Sequence, residues 1–200
     1  SLWLDRGNLA EAERCFTEAV RRQPDYTLAH YNLGIVLQRT GRDADAVGHF
    51  LTAIRLEPEF VGAHVNVGIA FLKLGRAEDA VEHFEAALRL QPDLADLHYN
   101  LGLALDQLGR LDPAIREYEA AIQREPELLQ ARLHLAAARV RQGDTIAAER
   151  GYREAIRLQP DRAATHYDLG NLLARMNRFS EAAEEYRKHL QVEPGHLPAR

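Results

Sequence analysis

The chain is poor in cysteine, serine and lysine, and it has no long apolar run. A single cysteine, Cys15, can form no internal disulfide and build no thiolate metal site, which excludes a disulfide scaffold and a zinc finger. It leaves the redox compartment open. The sequence carries no address, and the cytoplasm stands as the default expectation. Nucleophilic catalysis needs a nucleophile held by a base, and apart from six threonines the chain offers only Ser1, Ser180 and Cys15. Ser180, in the run Phe179, Ser180, Glu181, is expected to cap a helix N-terminus instead. There is no glycine-rich phosphate loop, metalloprotease helix signature or calcium loop. We therefore expect no catalytic residue and no cofactor. Basic excess is absent as well: 25 Lys plus Arg stand against 30 Asp plus Glu, a formal charge of −5, which argues against a chain that tracks a phosphate backbone. The most apolar stretch, Phe60 to Leu74, is broken by His64, Asn66 and Lys73 and is too short to cross a bilayer. The start, Ser1 to Arg6, lacks the basic and apolar regions of a secretory signal and reads as an internal cut.

What is present is a repeat. Prolines fall at Pro24, Pro58, Pro92, Pro126, Pro160 and Pro194, each 34 residues after the last. Gly7, Gly41, Gly75, Gly109 and Gly143 follow the same period, and Asn177 completes the column. Asparagine is the other residue that tolerates a left-handed, helix-ending conformation. A third column holds Phe16, Phe50, Phe84, Tyr118, Tyr152 and Tyr186, and a fourth holds Ala12, Ala46, Ala80, Ala114, Ala148 and Ala182.

Between a proline and the next glycine run about sixteen residues, such as Asp25 to Thr40, with apolar side chains at helical rather than alternating spacing. From each glycine to the next proline runs a second amphipathic segment, such as Ala80, Val81, Phe84, Ala87 and Leu88. Each unit thus reads as a helical hairpin. Glycine closes the first helix and proline the second, just before an acidic residue (Asp25, Glu59, Asp93, Glu127, Asp161) that suits the next helix N-terminus.

These residues resemble the tetratricopeptide repeat family, whose units are 34 residues long. The small and large positions read Leu33, Gly34, Leu37, Ala46, Phe50, Ala53 and Pro58 in one unit. The next units repeat them as Val67, Gly68, Phe71, Ala80, Phe84, Ala87, Pro92 and as Leu101, Gly102, Leu105, Ala114, Tyr118, Ala121, Pro126. The resemblance implies an all-α fold, a right-handed α-solenoid of antiparallel helix pairs. In register, residues 1–26 are a partial first repeat. Residues 27–60, 61–94, 95–128, 129–162 and 163–196 are full repeats, and 197–200 begin a further helix, all in a single array. Both ends read as cut, and further repeats or another domain are expected on at least one side. The family's usual aromatic near the start of the first helix is His30, His64, His98, Arg132 and His166 here, a departure expected to weaken packing there. Those histidines recur too far apart along stacked hairpins to share one metal ion, so no metal site is expected.

In this family the first-helix residues line a concave groove, so the resemblance implies a ladder of Asn32, Asn66, Asn100, His134 and Asp168 along an extended ligand. An amide both donates and accepts, and so can pair with the backbone of any peptide. Beside the ladder stand Tyr31, Val65, Tyr99, Leu133 and Tyr167. One turn further on come Ile35, Ile69, Leu103, Ala137 and Asn171, giving a largely apolar floor. At the edge Arg39, Lys73, Gln107, Arg141 and Arg175 are basic in four of five units. That rim either orients acidic residues of a partner or complements the helix macrodipoles.

Three readings remain open on the sequence. The first is a non-catalytic module that binds a protein or peptide in the groove. The second is the substrate-recruiting region of a larger enzyme such as a glycosyltransferase. It rests on the run His30, Tyr31, Asn32, Leu33, Gly34, which resembles the repeats of O-linked N-acetylglucosamine transferases. The third is a scaffold that self-associates through its open repeat ends. The lysines by which one branch of the family grips chaperone tails are replaced by Tyr31, Val65 and Tyr99, and by Gly62, Asp96 and Gln130.

Overall fold

The computed structural model describes residues 8–193, all of them in helices or short turns. Ser1, Gly7, Pro194, His196 and the segment 197–200 lie outside the described residues. The chain divides into two compact units after Gly109. In the first are α1 (Leu9–Arg22), α2 (Thr27–Arg39), α3 (Asp43–Leu56), α4 (Val61–Lys73), α5 (Ala77–Leu90) and α6 (Ala95–Gln107). In the second are α7 (Leu111–Arg124), α8 (Leu129–Gln142), α9 (Thr145–Leu158), α10 (Ala163–Arg175) and α11 (Phe179–Val192). Each unit is a solenoid of helix pairs in which every helix packs on its chain neighbours, and first helices of successive hairpins also touch, α2 on α4 and α4 on α6.

The first helices stop where the backbone turns left-handed. Gly41, Gly75, Gly109 and Gly143 have φ of 77°, 74°, 70° and 89°, and Asn177, at 61°, takes the same conformation with a side chain. At Gly41 the N–H bonds Gln38 O at 3.1 Å and the following Arg42 N–H bonds Leu37 O at 2.9 Å, which satisfies two carbonyls that a helix end leaves open. The pair recurs at Gly75 with Arg76 and at Asn177 with Arg178, so one arginine both closes a helix and precedes the next. Helix starts are less provided for. Asn8 and Asp144 cap the second helices α1 and α9 with their side chains, whereas Tyr26, Phe60, Leu94, Leu128 and Arg162 precede the first helices without a side-chain cap. The acidic residues after each proline lie one position earlier, in the turn. Ser180 is not a cap either: α11 starts at Phe179, Arg178 holds the cap position, and Ser180 is exposed inside the first turn.

Packing explains the small and large columns. A Cβ on Gly34, Gly68 or Gly170 would lie 2.6 Å from the ring of Phe50, Phe84 or Tyr186 respectively. The missing methyl is what lets the second helix press its ring against the first. Phe50 and Phe84 are fully buried, as are Ala46, Ala80, Ala53 and Ala87. The large ring in a gap made by small residues is the unit of cohesion, worth about 3–5 kcal/mol to truncate to alanine.

Candidate functional site

Every candidate residue lies on a first helix. In the first unit α2 carries Tyr31, Asn32, Ile35 and Arg39, α4 carries Val65, Asn66, Ile69 and Lys73, and α6 carries Tyr99, Asn100 and Leu103. In the second, α8 carries Leu133, His134 and Arg141, and α10 carries Tyr167, Asp168 and Arg175. In the first unit the ladder and floor positions are half-buried, while in the second Tyr167 and Asp168 are exposed.

The ladder is not uniform in its bonding. Asn32 Nδ2 donates back to Leu28 O at 2.8 Å, within its own helix. Asn66 Nδ2 donates to Tyr31 Oη at 3.0 Å and ties α4 to α2. His134 Nδ1 meets Gln130 O at 2.9 Å. Burial raises the Tyr31 phenol, an effect that the Asn66 bond offsets in part. Loss of water raises the Asp168 carboxyl against the opposing pull of Arg162. In turn Tyr152, buried beside it, is pushed up to about 12 by desolvation first and by the Asp168 charge second.

The rim behaves as a set of helix ends. Arg39, Lys73 and Arg175 are the last residues of α2, α4 and α10, where a cation suits the partial negative charge of the terminus. Lys73 Nζ lies 3.3 Å from Asp43 Oδ1 of α3, so its charge is already matched inside the unit.

The histidine column holds a feature that sequence reasoning missed. His30, His64 and His166 are buried, and their Nε2 atoms donate to the carbonyls of Pro24, Pro58 and Pro160 at 3.0, 3.0 and 2.9 Å. His98 repeats the bond to Pro92 O at 2.9 Å, and Arg132 Nε reaches Pro126 O at 2.8 Å. The departure from the aromatic therefore replaces ring packing with a fastener that satisfies the proline turn. With Nε2 donating, neutral His30 and His64 must accept at Nδ1, and His49 and His83 supply that proton at 3.0 and 3.1 Å. At His166 the partner is Glu185 Oε2, at 2.6 Å. The signal was in the sequence as a common separation of 19 residues, repeated at the 34-residue period.

Two recesses indent the first-helix surfaces. In the first unit Tyr31, Val65 and Asn66 share a shallow hollow of about 540 Å³ with Phe60, Glu57 and Glu59. In the second, Tyr167, Asp168 and Asn171 share a deeper pocket of about 510 Å³ with Tyr186, His189 and Glu193.

Family models described as tetratricopeptide repeat match residues 4–60 and 128–195, and 95–128, and one described as TPR repeat matches 70–109. The chain belongs to the tetratricopeptide repeat family. No curated protein sequence matches it. Among solved structures, MamA from Desulfovibrio magneticus RS-1 (residue 41 to its end) is 28% identical with a TM-score of 0.76, over 80% of this chain and 90% of that one. YrrB, described as a TPR protein with an unusual peptide-binding site, is 22% identical with a TM-score of 0.76, over 90% and 93%. PilF from Pseudomonas aeruginosa is 20% identical with a TM-score of 0.75, over 86% and 78%. The last two establish shared fold. Tetratricopeptide repeat proteins are in general protein-interaction modules, and no helix among the described residues is long and apolar enough to cross a membrane.

Proposed function

We propose that the chain binds an extended segment of a partner protein along its first helices and does no chemistry of its own. The observation that carries this reading is that the recesses of both units contain ladder and floor residues together: Asn66 with Tyr31 and Val65, and Asp168 with Tyr167 and Asn171. Amide and carboxylate groups set among rings can pair with a peptide backbone while its side chains cover the apolar floor. No described residue donates to the side-chain oxygens of Asn32 or Asn66, which leaves those acceptors for a peptide N–H. The reading is tested by selecting displayed peptides against the full chain and measuring them against an Asn32, Asn66, Asn100 triple alanine variant. Affinity should fall at least about tenfold, since lost hydrogen bonds to an orienting ladder cost about 0.5–1.5 kcal/mol each. Unchanged affinity in a variant with an unchanged circular dichroism spectrum would overturn it.

A further inference from the structure

The two recesses have the same chemistry, and it is not the chemistry of the rim. In the second unit the rings of Tyr167 and Tyr186 stand 5.9 Å apart at 49°, and Tyr167 lies 5.3 Å from the His189 ring. Tyr186 Oη donates to Asn171 Oδ1 at 2.9 Å, which fixes that ring and turns the amide's own donor side elsewhere. The carboxylates of Asp168 and Glu193 complete the lining. In the first unit Tyr31 and Phe60 stand 4.6 Å apart at 48°, beside Glu57 and Glu59. Among the described residues none of these four carboxylates is in an ion pair. Arg162 acts on Asp168 at longer range.

Three kinds of side chain could enter such a recess. An acidic one would meet two carboxylates in each. An apolar one would cover the rings but strand Asp168 in the second unit, a carboxylate that has already lost part of its water, and would give Glu57 and Glu59 of the first unit no partner. A cation gains on both counts, because ring faces carry negative charge and the carboxylates neutralise it directly. Arginine suits the tilted rings best, being planar, weakly hydrated and able to pair with a carboxylate while it stacks. Lys73, a rim cation, is matched by Asp43 within its own unit, so that position gives no competing reason to expect an acidic partner.

We propose that the recess at Tyr167 and Asp168, and its counterpart at Tyr31 and Glu57, each receive a basic side chain, arginine before lysine, from a segment bound to that unit. This rests on the groove reading above and adds the sign of the partner's charge. The test uses the full chain. Displayed peptides are selected against it, and the strongest binder is synthesised with each arginine in turn replaced by citrulline, which keeps the shape and removes the charge. The proposal predicts selection of arginine-containing peptides, with at least about tenfold weaker binding for citrulline at the recess positions. The double variant Glu57→Gln, Asp168→Asn should weaken the arginine peptide by a similar factor and the citrulline peptide by a smaller one, with its melting temperature checked beside the parent, and equal losses for the two peptides would count against a charge pairing. Selected peptides without basic residues, or citrulline forms that bind equally, overturn it. If such peptides still depend on Asn32, Asn66 and Asn100, the groove reading survives and the charge assignment alone fails. If no peptide binds, or none depends on the ladder, both fail.

Discussion

Asn177 holds the left-handed turn at a φ of 61° where four other hairpins use glycine, and a Cβ in that region carries a steric cost that glycine lacks. Asn177→Gly should therefore stabilise the chain by about 0.5–1 kcal/mol, while Gly75→Ala, at 74°, should cost about 1–2 kcal/mol, both read from urea unfolding midpoints. Asn66→Ala removes the bond to Tyr31 and should cost about 0.5–1.5 kcal/mol, whereas Asn32→Ala, whose amide bonds only its own helix, should cost little. Equal costs at both positions would mean that the inter-helix bond is not holding α2 to α4. Periodicity made these positions visible in the sequence. It could not show which amide turns to its own helix and which to the neighbour, because a rotamer choice leaves no trace in spacing. For the same reason Ser180 read as a cap although Arg178 occupies that position.

The histidine fasteners make individual helix pairs sensitive to pH. Burial first, and the neighbouring histidine's charge second, lower His49 and His83 below the ordinary 6.5, with Asp45 opposing at His49 and Glu82 and Asp79 at His83. The other face of His83 is covered by Phe71, stacked at 5.7 Å. A base whose folded value is depressed takes up its proton more readily in the unfolded chain. Its contribution is full above pH 6.5 and is lost as pH falls through the depressed value. Glu185 opposite His166 differs: burial raises it, but Lys188 and His166 together outweigh burial and leave it below 4.5, so it keeps its contribution until pH falls below that range. As pH falls from 6.5 to 4.5, amide protection factors, corrected for the slower intrinsic exchange at lower pH, should fall in α2 to α5, a fall that the pair His166 and Glu185 does not impose on α10 and α11. His83→Glu, which copies that second arrangement, should flatten the pH dependence in α4 and α5. A profile unchanged by His83→Glu would remove the histidine pair as its cause. At the same scale Gly68→Ala drives a methyl into the Phe84 ring and should cost about 1–3 kcal/mol, part of which Phe84→Leu restores in the double variant.

For the whole molecule, stability in a stack of hairpins is a sum of intrinsic and nearest-neighbour terms, so damage should spread from one hairpin to those beside it. Ala80→Glu, at a fully buried position of α5, should raise hydrogen exchange in α4 and α5 before α1. Helix type, period and the buried columns were legible because each hairpin repeats the same constraint: a left-handed turn, a ring and a gap. The division after Gly109 was not legible, since Leu101, Gly102, Leu105, Ala114, Tyr118 and Ala121 keep the pattern without interruption across it. Nor was the acidic, aromatic character of the recesses, which join residues from turns and from two helices that no single column contains. The central claim is that the first-helix surface holds a peptide. Its most direct test is calorimetric titration of a display-selected peptide into the chain and into the Asn32, Asn66, Asn100 triple alanine variant. The account predicts saturable binding to the chain and at least about tenfold weaker binding to a variant that stays folded. Equal affinity for both would contradict it.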